Sequence, residues 1–92
     1  MSAAVDPVLA RTRDEIAALD ERLIATINDR IRKVAELRRY KAEQGLPFVD
    51  PEREQRLVEH LQRVNRGPLS DDGVRELLGT VLDLVKRELA RG

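Results

Sequence analysis

A long stretch of chain without proline or glycine constrains the fold more than any other feature of the sequence. It covers residues 8–44, after Asp6-Pro7 and before Gly45 and Pro47. Aspartate is a favoured helix cap and proline a favoured first helical residue, whereas glycine and proline commonly end helices. The sequence therefore predicts one helix of roughly 35 residues, which at 1.5 Å per residue is about 55 Å long.

Apolar residues recur along this predicted helix in steps of three or four, and three cations share the same stripe. The cations are Arg13, Arg30 and Lys41, and the apolar members are Ile16, Leu19, Leu23, Ile27, Val34 and Leu37. A charge that is removed from water costs several kcal/mol unless it is paired. We therefore expect an anionic partner for these cations inside the structure, and a bound ligand is a candidate.

Two shorter helices are expected after the long one. Asp50-Pro51 repeats the pairing of a cap with a first-turn proline, and Ser70, followed by Asp71 and Asp72, is the expected cap of the last helix. Apolar stripes follow both caps, and no strand-type alternation occurs. We predict helices over residues 7–43, 51–65 and 71–90, in an all-α fold that forms a single domain, 1–92.

The length of the first helix also predicts a partner chain. A compact domain of 92 residues has a diameter of about 26 Å, so two shorter helices leave part of the 55 Å stripe uncovered. An antiparallel second copy of the same helix is the simplest cover, and we predict an intertwined homodimeric helical bundle. The alternative is a simple antiparallel bundle or coiled coil whose cations extend to the surface.

The spacing of the three cations predicts a shared site. Arg30 and Lys41 are eleven residues apart, about 16 Å along a helix, so their long side chains can reach one small anion between them. Arg13 lies about 25 Å before Arg30 and is out of reach of that anion in its own chain. In an antiparallel dimer, Arg13 of the partner subunit reaches it, which predicts two sites per dimer.

Composition excludes several classes of function. The 17 lysines and arginines balance 17 aspartates and glutamates, and Tyr40 and Phe48 are the two aromatic residues, so nucleic acid is not an expected partner. No apolar leader is apparent over residues 1–14, and no segment is apolar enough to cross a membrane, so we expect a cytoplasmic protein. The absence of cysteine and the single histidine, His60, argue against a thiolate site and a metal cluster.

The order and spacing of residues over nearly the whole chain resemble those of the all-helical chorismate mutases. The matching positions are Arg13, Ile16, Asp20, Leu23, Asn28, Arg30, Tyr40-Lys41 and the segment 47–54 with Asp50, Arg53 and Glu54. The loop at residues 65–68 is similar to that of mutase domains fused to 3-deoxy-D-arabino-heptulosonate-7-phosphate synthase. The resemblance makes this synthase an expected partner.

The resemblance implies an isomerase of phenylalanine and tyrosine biosynthesis. Chorismate, a small dianion, would rearrange to prephenate by a concerted pericyclic shift. Such a reaction needs no nucleophile, proton transfer, metal or cofactor, which agrees with the lack of those catalytic groups in the chain.

The resemblance also implies roles for individual residues. Arg30 and the partner subunit's Arg13 would hold the two carboxylates, with Arg53 assisting at the ring. Lys41 would stabilise the charge that grows on the ether oxygen. Glu54 would accept a hydrogen bond from the ring hydroxyl, and backbone near Asp50 would close that corner.

The third predicted helix departs from the family pattern. Leu89 stands where a polar residue, commonly glutamine, normally reaches the ether oxygen, and Val85 replaces another polar position. One interpretation is that a protonated Glu88 donates this hydrogen bond to the ether oxygen. The other is that no side chain donates it, so that the free enzyme is a weak catalyst. In the second case, docking to the synthase would raise the activity of the mutase by reordering the end of the chain. The sequence does not decide between these two interpretations.

Other interpretations accompany these roles. Asp50 is expected to cap a helix in any case, Glu54 is favoured in a first turn by the helix dipole, and Arg53 could be solvated. Five further cations are expected to be ordinary exposed charges or members of weak ion pairs: Arg22, Arg32, Lys33, Arg38 and Arg39. The alternative activities are rearrangement of 4-amino-4-deoxychorismate and pyruvate elimination from isochorismate, and the non-enzymatic alternative is a helical interaction module.

Overall fold

The computed structural model describes residues 6–92, and within them it contains three helices and no strand. The helices are α1 (Pro7–Glu43), α2 (Pro51–Val64) and α3 (Asp71–Arg91). The prediction of an all-α, three-helix fold with a long first helix is confirmed. The second helix ends one residue earlier than expected and the third one residue later. Residues 1–5, which belong to the predicted domain and to the segment searched for a leader, lie outside the described residues.

Side-chain caps begin the first and third helices where the sequence predicts them. The Asp6 Oδ1 accepts a hydrogen bond from the backbone N–H of Val8 at 2.9 Å. The Ser70 Oγ accepts one from the backbone N–H of Gly73 at 3.0 Å. Each cap satisfies an amide that has no partner within its own helix, which is why helix formation starts at these positions.

A glycine turn ends α1 and fixes the direction of the chain that follows. The Leu46 N–H donates to the Lys41 carbonyl oxygen at 2.8 Å, and the Gly45 N–H donates to that of Ala42 at 3.3 Å. This pair of hydrogen bonds is the Schellman pattern, with Gly45 in the left-handed conformation at a φ of 68°. Lys41 therefore lies in the last turn of α1, where its own carbonyl is part of the turn.

Helices α2 and α3 pack against each other in antiparallel orientation. The Gln62 Nε2, near the end of α2, donates to the backbone oxygen of Asp71 at the start of α3, at 3.0 Å. Glu54, in the first turn of α2, contacts Lys86 near the end of α3. The buried apolar side chains of the described chain lie on these two helices, at Val58, Val74, Leu78 and Val85.

The loop between α2 and α3 is held by one asparagine. The Asn65 Nδ2 donates to the Leu69 carbonyl oxygen at 2.6 Å, and the Asn65 Oδ1 accepts from the Gly67 N–H at 3.1 Å. Gly67 has a φ of 75°, a conformation that side chains other than glycine rarely adopt. The loop is therefore organised by local hydrogen bonds within residues 65–69.

The described residues form two compact units, with the boundary between Arg30 and Ile31 inside α1. In the first unit, the apolar stripe of α1 faces water: Ile16, Leu19 and Leu23 are each more than half exposed. No residue of α1 is buried in the single chain. In the single chain Arg13 is exposed and Arg30 and Lys41 are half-buried, so the burial of these cations by a partner chain stays a prediction.

Two further features bear on function. Within residues 6–92, none of the helices combines the length and the apolar composition needed to span a bilayer. The same residues contain no group of three acidic, histidine or cysteine side chains arranged to hold a metal ion.

Candidate functional site

Lys41 is tethered to the loop that follows α1. Its ammonium Nζ donates a hydrogen bond to the backbone oxygen of Phe48 at 3.2 Å, in a partly buried position. An ammonium has three N–H donors, so this contact leaves two of them for an anionic ligand. Because the backbone carbonyl of Lys41 is also held by the glycine turn, both ends of the residue are fixed.

Phe48 is contacted through its ring as well as through its backbone. The guanidinium carbon of Arg38 lies 5.2 Å from the centroid of the Phe48 ring, within the range of a cation–π interaction. Arg38 is exposed, as the sequence predicts, and its contact with the Phe48 ring is an additional interaction that the sequence interpretation did not include. A sequence signal for this contact existed, since Arg38 precedes Lys41 by one helical turn and Phe48 is one of only two aromatic residues.

Asp50 caps α2, as the sequence predicts. Its Oδ1 accepts from the backbone N–H of Arg53 at 3.1 Å, and its carbonyl oxygen accepts from that of Glu54 at 3.1 Å. Pro51 occupies the first turn, where its missing N–H costs nothing. The cap fixes the backbone of two candidate residues, Arg53 with an exposed side chain and Glu54 with a half-buried one.

Glu54 forms an ion pair that the sequence interpretation missed. The Lys86 Nζ lies 3.1 Å from its Oε1 and 3.4 Å from its Oε2. Both side chains are partly shielded from water, with 26% of Glu54 and 39% of Lys86 exposed. The pair joins the first turn of α2 to the last turns of α3, so it fixes the carboxylate of Glu54 from a second helix.

A weak sequence signal could have pointed to Lys86. This lysine follows Leu78 and Leu82 in steps of four residues, which puts it on the edge of the apolar stripe of α3. Glu54 likewise precedes the buried Val58 by four residues on α2. Ionisable groups at the edges of two facing stripes are candidates for pairing, although sequence alone does not show which stripes face each other.

The three α3 residues proposed as contacts are in different environments. Val85 is 2% exposed and is a packing residue of the α2–α3 core, so we leave it out of the proposed site. Leu89 is half-buried. The Oε2 of Glu88 lies 2.6 Å from the Arg91 guanidinium; it is shielded from solvent and has no well-aligned hydrogen bond. Engaged in this way, Glu88 offers an acceptor, whereas an ether oxygen needs a donor.

Arg13 and Arg30 belong to the first unit and lie on the same helix. Arg13 is exposed and Arg30 is half-buried. They are seventeen residues apart, about 25 Å along α1 by helical rise. The second unit brings together Asp50, Arg53 and Glu54 in one helical turn, with Lys86 beside Glu54.

Comparison with known proteins gives the family context of these residues. A sequence model of the chorismate mutase type II family matches residues 12–88. The bifunctional chorismate mutase/prephenate dehydratase of Stutzerimonas stutzeri is 32% identical over 80 residues, and that of Pseudomonas aeruginosa is 30% identical over 79. Each alignment covers 80% of this chain but 22% of the relative, so the chain spans about a fifth of the length of these curated relatives.

Two solved structures are similar to this chain over most of their own length and most of its length. Form I of the chorismate mutase from Thermus thermophilus superposes with a TM-score of 0.81 at 28% identity, covering 84% of this chain and 96% of that one. Form II gives a TM-score of 0.83 at 28% identity, covering 86% and 90%.

Proposed function

The chain belongs to the chorismate mutase type II family, and we propose that it catalyses the rearrangement of chorismate to prephenate. The observation that carries this proposal is the family match over residues 12–88, which includes Arg13, Arg30, Lys41 and Glu54. The two solved forms of the chorismate mutase from Thermus thermophilus, which are similar to this chain over most of their length, support it further.

Two arginines supply the binding of the substrate in this proposal. Chorismate carries one carboxylate on its ring and one on its enolpyruvyl arm, and the arm must fold over the ring before the new bond can form. Arg30 and the partner subunit's Arg13 each bind one carboxylate, because a guanidinium can donate two parallel hydrogen bonds to it. Holding both ends converts a flexible arm into a near-reactive conformation, which lowers the entropic part of the barrier.

Lys41 supplies the electrostatic stabilisation. As the ether C–O bond breaks, negative charge grows on the oxygen, and a fixed cation lowers the free energy of the transition state more than that of the bound substrate. The tether from the Lys41 ammonium to the Phe48 carbonyl supports this role, because a preorganised charge does not have to reorient during the reaction. The two remaining N–H donors are available to the ether oxygen and a carboxylate.

The first turn of α2 holds the ring side of the substrate in this proposal. The Glu54 carboxylate accepts a hydrogen bond from the ring hydroxyl, and the exposed Arg53 assists at the ring. The Asp50 cap supports both roles by fixing the backbone of this turn.

We also propose that the active protein is an antiparallel homodimer. The exposed Ile16, Leu19 and Leu23 support this assembly, because a contiguous apolar stripe on a single chain is typical of a surface that a partner covers. The dimer would bring Arg13 of each subunit to the site of the other. A cytoplasmic location, and docking to 3-deoxy-D-arabino-heptulosonate-7-phosphate synthase, stay predictions.

A direct assay can show which of three related compounds is the substrate: chorismate, 4-amino-4-deoxychorismate or isochorismate. The 4-amino analogue and isochorismate keep the two carboxylates that the arginines bind, so all three compounds should be assayed side by side with the purified chain. The proposal expects prephenate from chorismate as the fastest reaction. Faster turnover of either analogue would assign the chain to that alternative activity, and binding of none of the three at millimolar concentration would favour a helical interaction module.

A further inference from the structure

The ion pair between Lys86 and Glu54 differs from the pairs found along single helices. Lys33 and Glu36 pair at 3.4 Å on the exposed surface of α1, three residues apart, and such pairs are typically weak. Lys86 and Glu54 are 32 residues apart, lie on different helices and are partly shielded from water. Lys86 therefore contacts a residue to which the proposed function gives a role in binding the substrate.

The geometry of this pair leaves Glu54 able to accept another hydrogen bond. One ammonium lies within 3.4 Å of both carboxylate oxygens. A carboxylate has about four acceptor positions, so each oxygen keeps free acceptor capacity. At the same time, the ammonium compensates the charge of the carboxylate, which leaves the pair neutral overall.

We propose that Lys86 is a specificity-determining residue, which makes the Glu54 corner accept a neutral ring hydroxyl and reject a ring ammonium. The inference rests on the proposed function, in which Glu54 faces the ring substituent of the substrate. Without Lys86, the lone carboxylate of Glu54 would attract an ammonium more strongly than a hydroxyl. With Lys86 present, the carboxylate no longer favours an ammonium over a hydroxyl, and the charge of Lys86 repels the ring ammonium.

The distances decide how strong this repulsion is. The Lys86 Nζ lies 3.1 Å from the Glu54 Oε1. A ring ammonium bound to the same carboxylate would sit about 2.8 Å from an oxygen, so the two cations would be at most about 6 Å apart. Like charges at this separation repel, and the partial burial of both side chains limits screening by solvent. A hydroxyl carries no charge and meets no such repulsion.

The competing explanation is that Lys86 only joins α2 to α3. Loss of a purely structural contact would disturb the site for every ligand alike. It would leave unchanged the ratio between the inhibition constant of the ring-amino analogue and the Michaelis constant for chorismate. That ratio therefore separates a role in specificity from a role in stability.

The test uses 4-amino-4-deoxychorismate as a competitive inhibitor of chorismate turnover by the full chain. Lys86→Met removes the charge and keeps most of the side-chain length, Lys86→Arg keeps the charge, and Lys33→Met is the matched control at an exposed ion pair. We expect Lys86→Met to lower the ratio of inhibition constant to Michaelis constant by about tenfold. Lys86→Arg and Lys33→Met should stay within about twofold of the unaltered protein.

A ratio that is unchanged in Lys86→Met, in a variant that still turns over chorismate, would overturn the proposal and leave the proposed function intact. If the unaltered protein does not bind the amino analogue, the inhibition must become measurable in Lys86→Met, and its continued absence would also overturn the inference. Lys86→Gln, measured in the same way, replaces Lys86→Met if that variant does not fold. Failure of the unaltered protein to convert chorismate would instead defeat the proposed function.

Discussion

The ammonium of Lys41 and the backbone oxygen of Phe48 are 3.2 Å apart, so a side chain in the last turn of α1 is bonded to the loop that leads into α2. The glycine turn between them makes this contact possible, because it reverses the chain within a few residues. The position of the proposed catalytic cation therefore depends on local backbone geometry as well as on the helix that carries it.

Gly45 should matter for both stability and turnover. Its φ of 68° is costly for a residue with a Cβ, and Gly45→Ala should lower the free energy of unfolding by about 1 kcal/mol. An added Cβ meets no atom within 4 Å, so this cost is conformational and not a clash. We expect turnover to fall because the hydrogen bond from Lys41 to Phe48 is displaced.

Gly79→Ala is the control for this prediction. Gly79 lies inside α3 with open space around it, and alanine there should stabilise the protein by about 0.5–1 kcal/mol. Equal effects of the two substitutions on turnover would contradict the proposed function of the turn.

Asp50 should contribute to stability mainly as a cap. Asp50→Ala removes the acceptor for the Arg53 amide and should lower the free energy of unfolding by about 1 kcal/mol in urea denaturation. Asp50→Asn keeps an acceptor oxygen and should retain most of that stability. A loss that is as large in Asp50→Asn as in Asp50→Ala would show that the negative charge, and not the cap hydrogen bond, is what matters.

The apolar stripe of α1 offers a test of the dimer. Leu19 is 56% exposed in the single chain, so Leu19→Glu should be harmless if the protein is a monomer. If the stripe is covered by a second copy, the same substitution buries a charge and should split or unfold the dimer. Arg22→Glu, a charge change off the stripe, is the control, and sedimentation velocity measures both. A folded monomer of the unaltered protein at micromolar concentration would contradict the homodimer.

Mixing two inactive variants tests whether the site is shared. Arg13→Ala and Arg30→Ala should each be nearly inactive, because each loses one carboxylate clamp. After mixing and refolding at equal concentration, about half of the dimers are mixed and each has one intact site, so about one quarter of full activity should return. Activity that stays at the sum of the two variants would mean that both arginines serve a site in their own chain.

Local signals in the sequence were sufficient for much of this fold. Proline, glycine and cap residues at 6–7, 45–51 and 70 determine the backbone conformation of the few residues around them. The helix bounds could therefore be predicted to within one position. The Lys86–Glu54 pair could not be predicted in this way, because it depends on which face of α3 packs on α2. The contact between Arg38 and Phe48 likewise depends on the turn after α1.

The α1 cations show a second limit of prediction from sequence. The pattern of Arg13, Arg30 and Lys41 among apolar residues predicts a covered stripe, whereas in the single chain the residues of this stripe are exposed or half-buried. Helical periodicity indicates which residues share a face but not what covers that face. A partner chain is the proposed cover, and burial in the assembly stays a prediction.

We propose that the chain converts chorismate to prephenate and that the charge of Lys41 stabilises the breaking ether bond. The most direct test of this role is the rate of prephenate formation at saturating chorismate, compared between the unaltered protein and Lys41→Gln. Glutamine keeps a hydrogen-bond donor and loses the full charge, so we predict a loss of about 2.7–4 kcal/mol in transition-state stabilisation, or roughly 100- to 1,000-fold in turnover. A Lys41→Gln protein with near-normal turnover and a raised Michaelis constant would contradict this role of Lys41, and an unaltered protein that forms no prephenate would contradict the proposed activity.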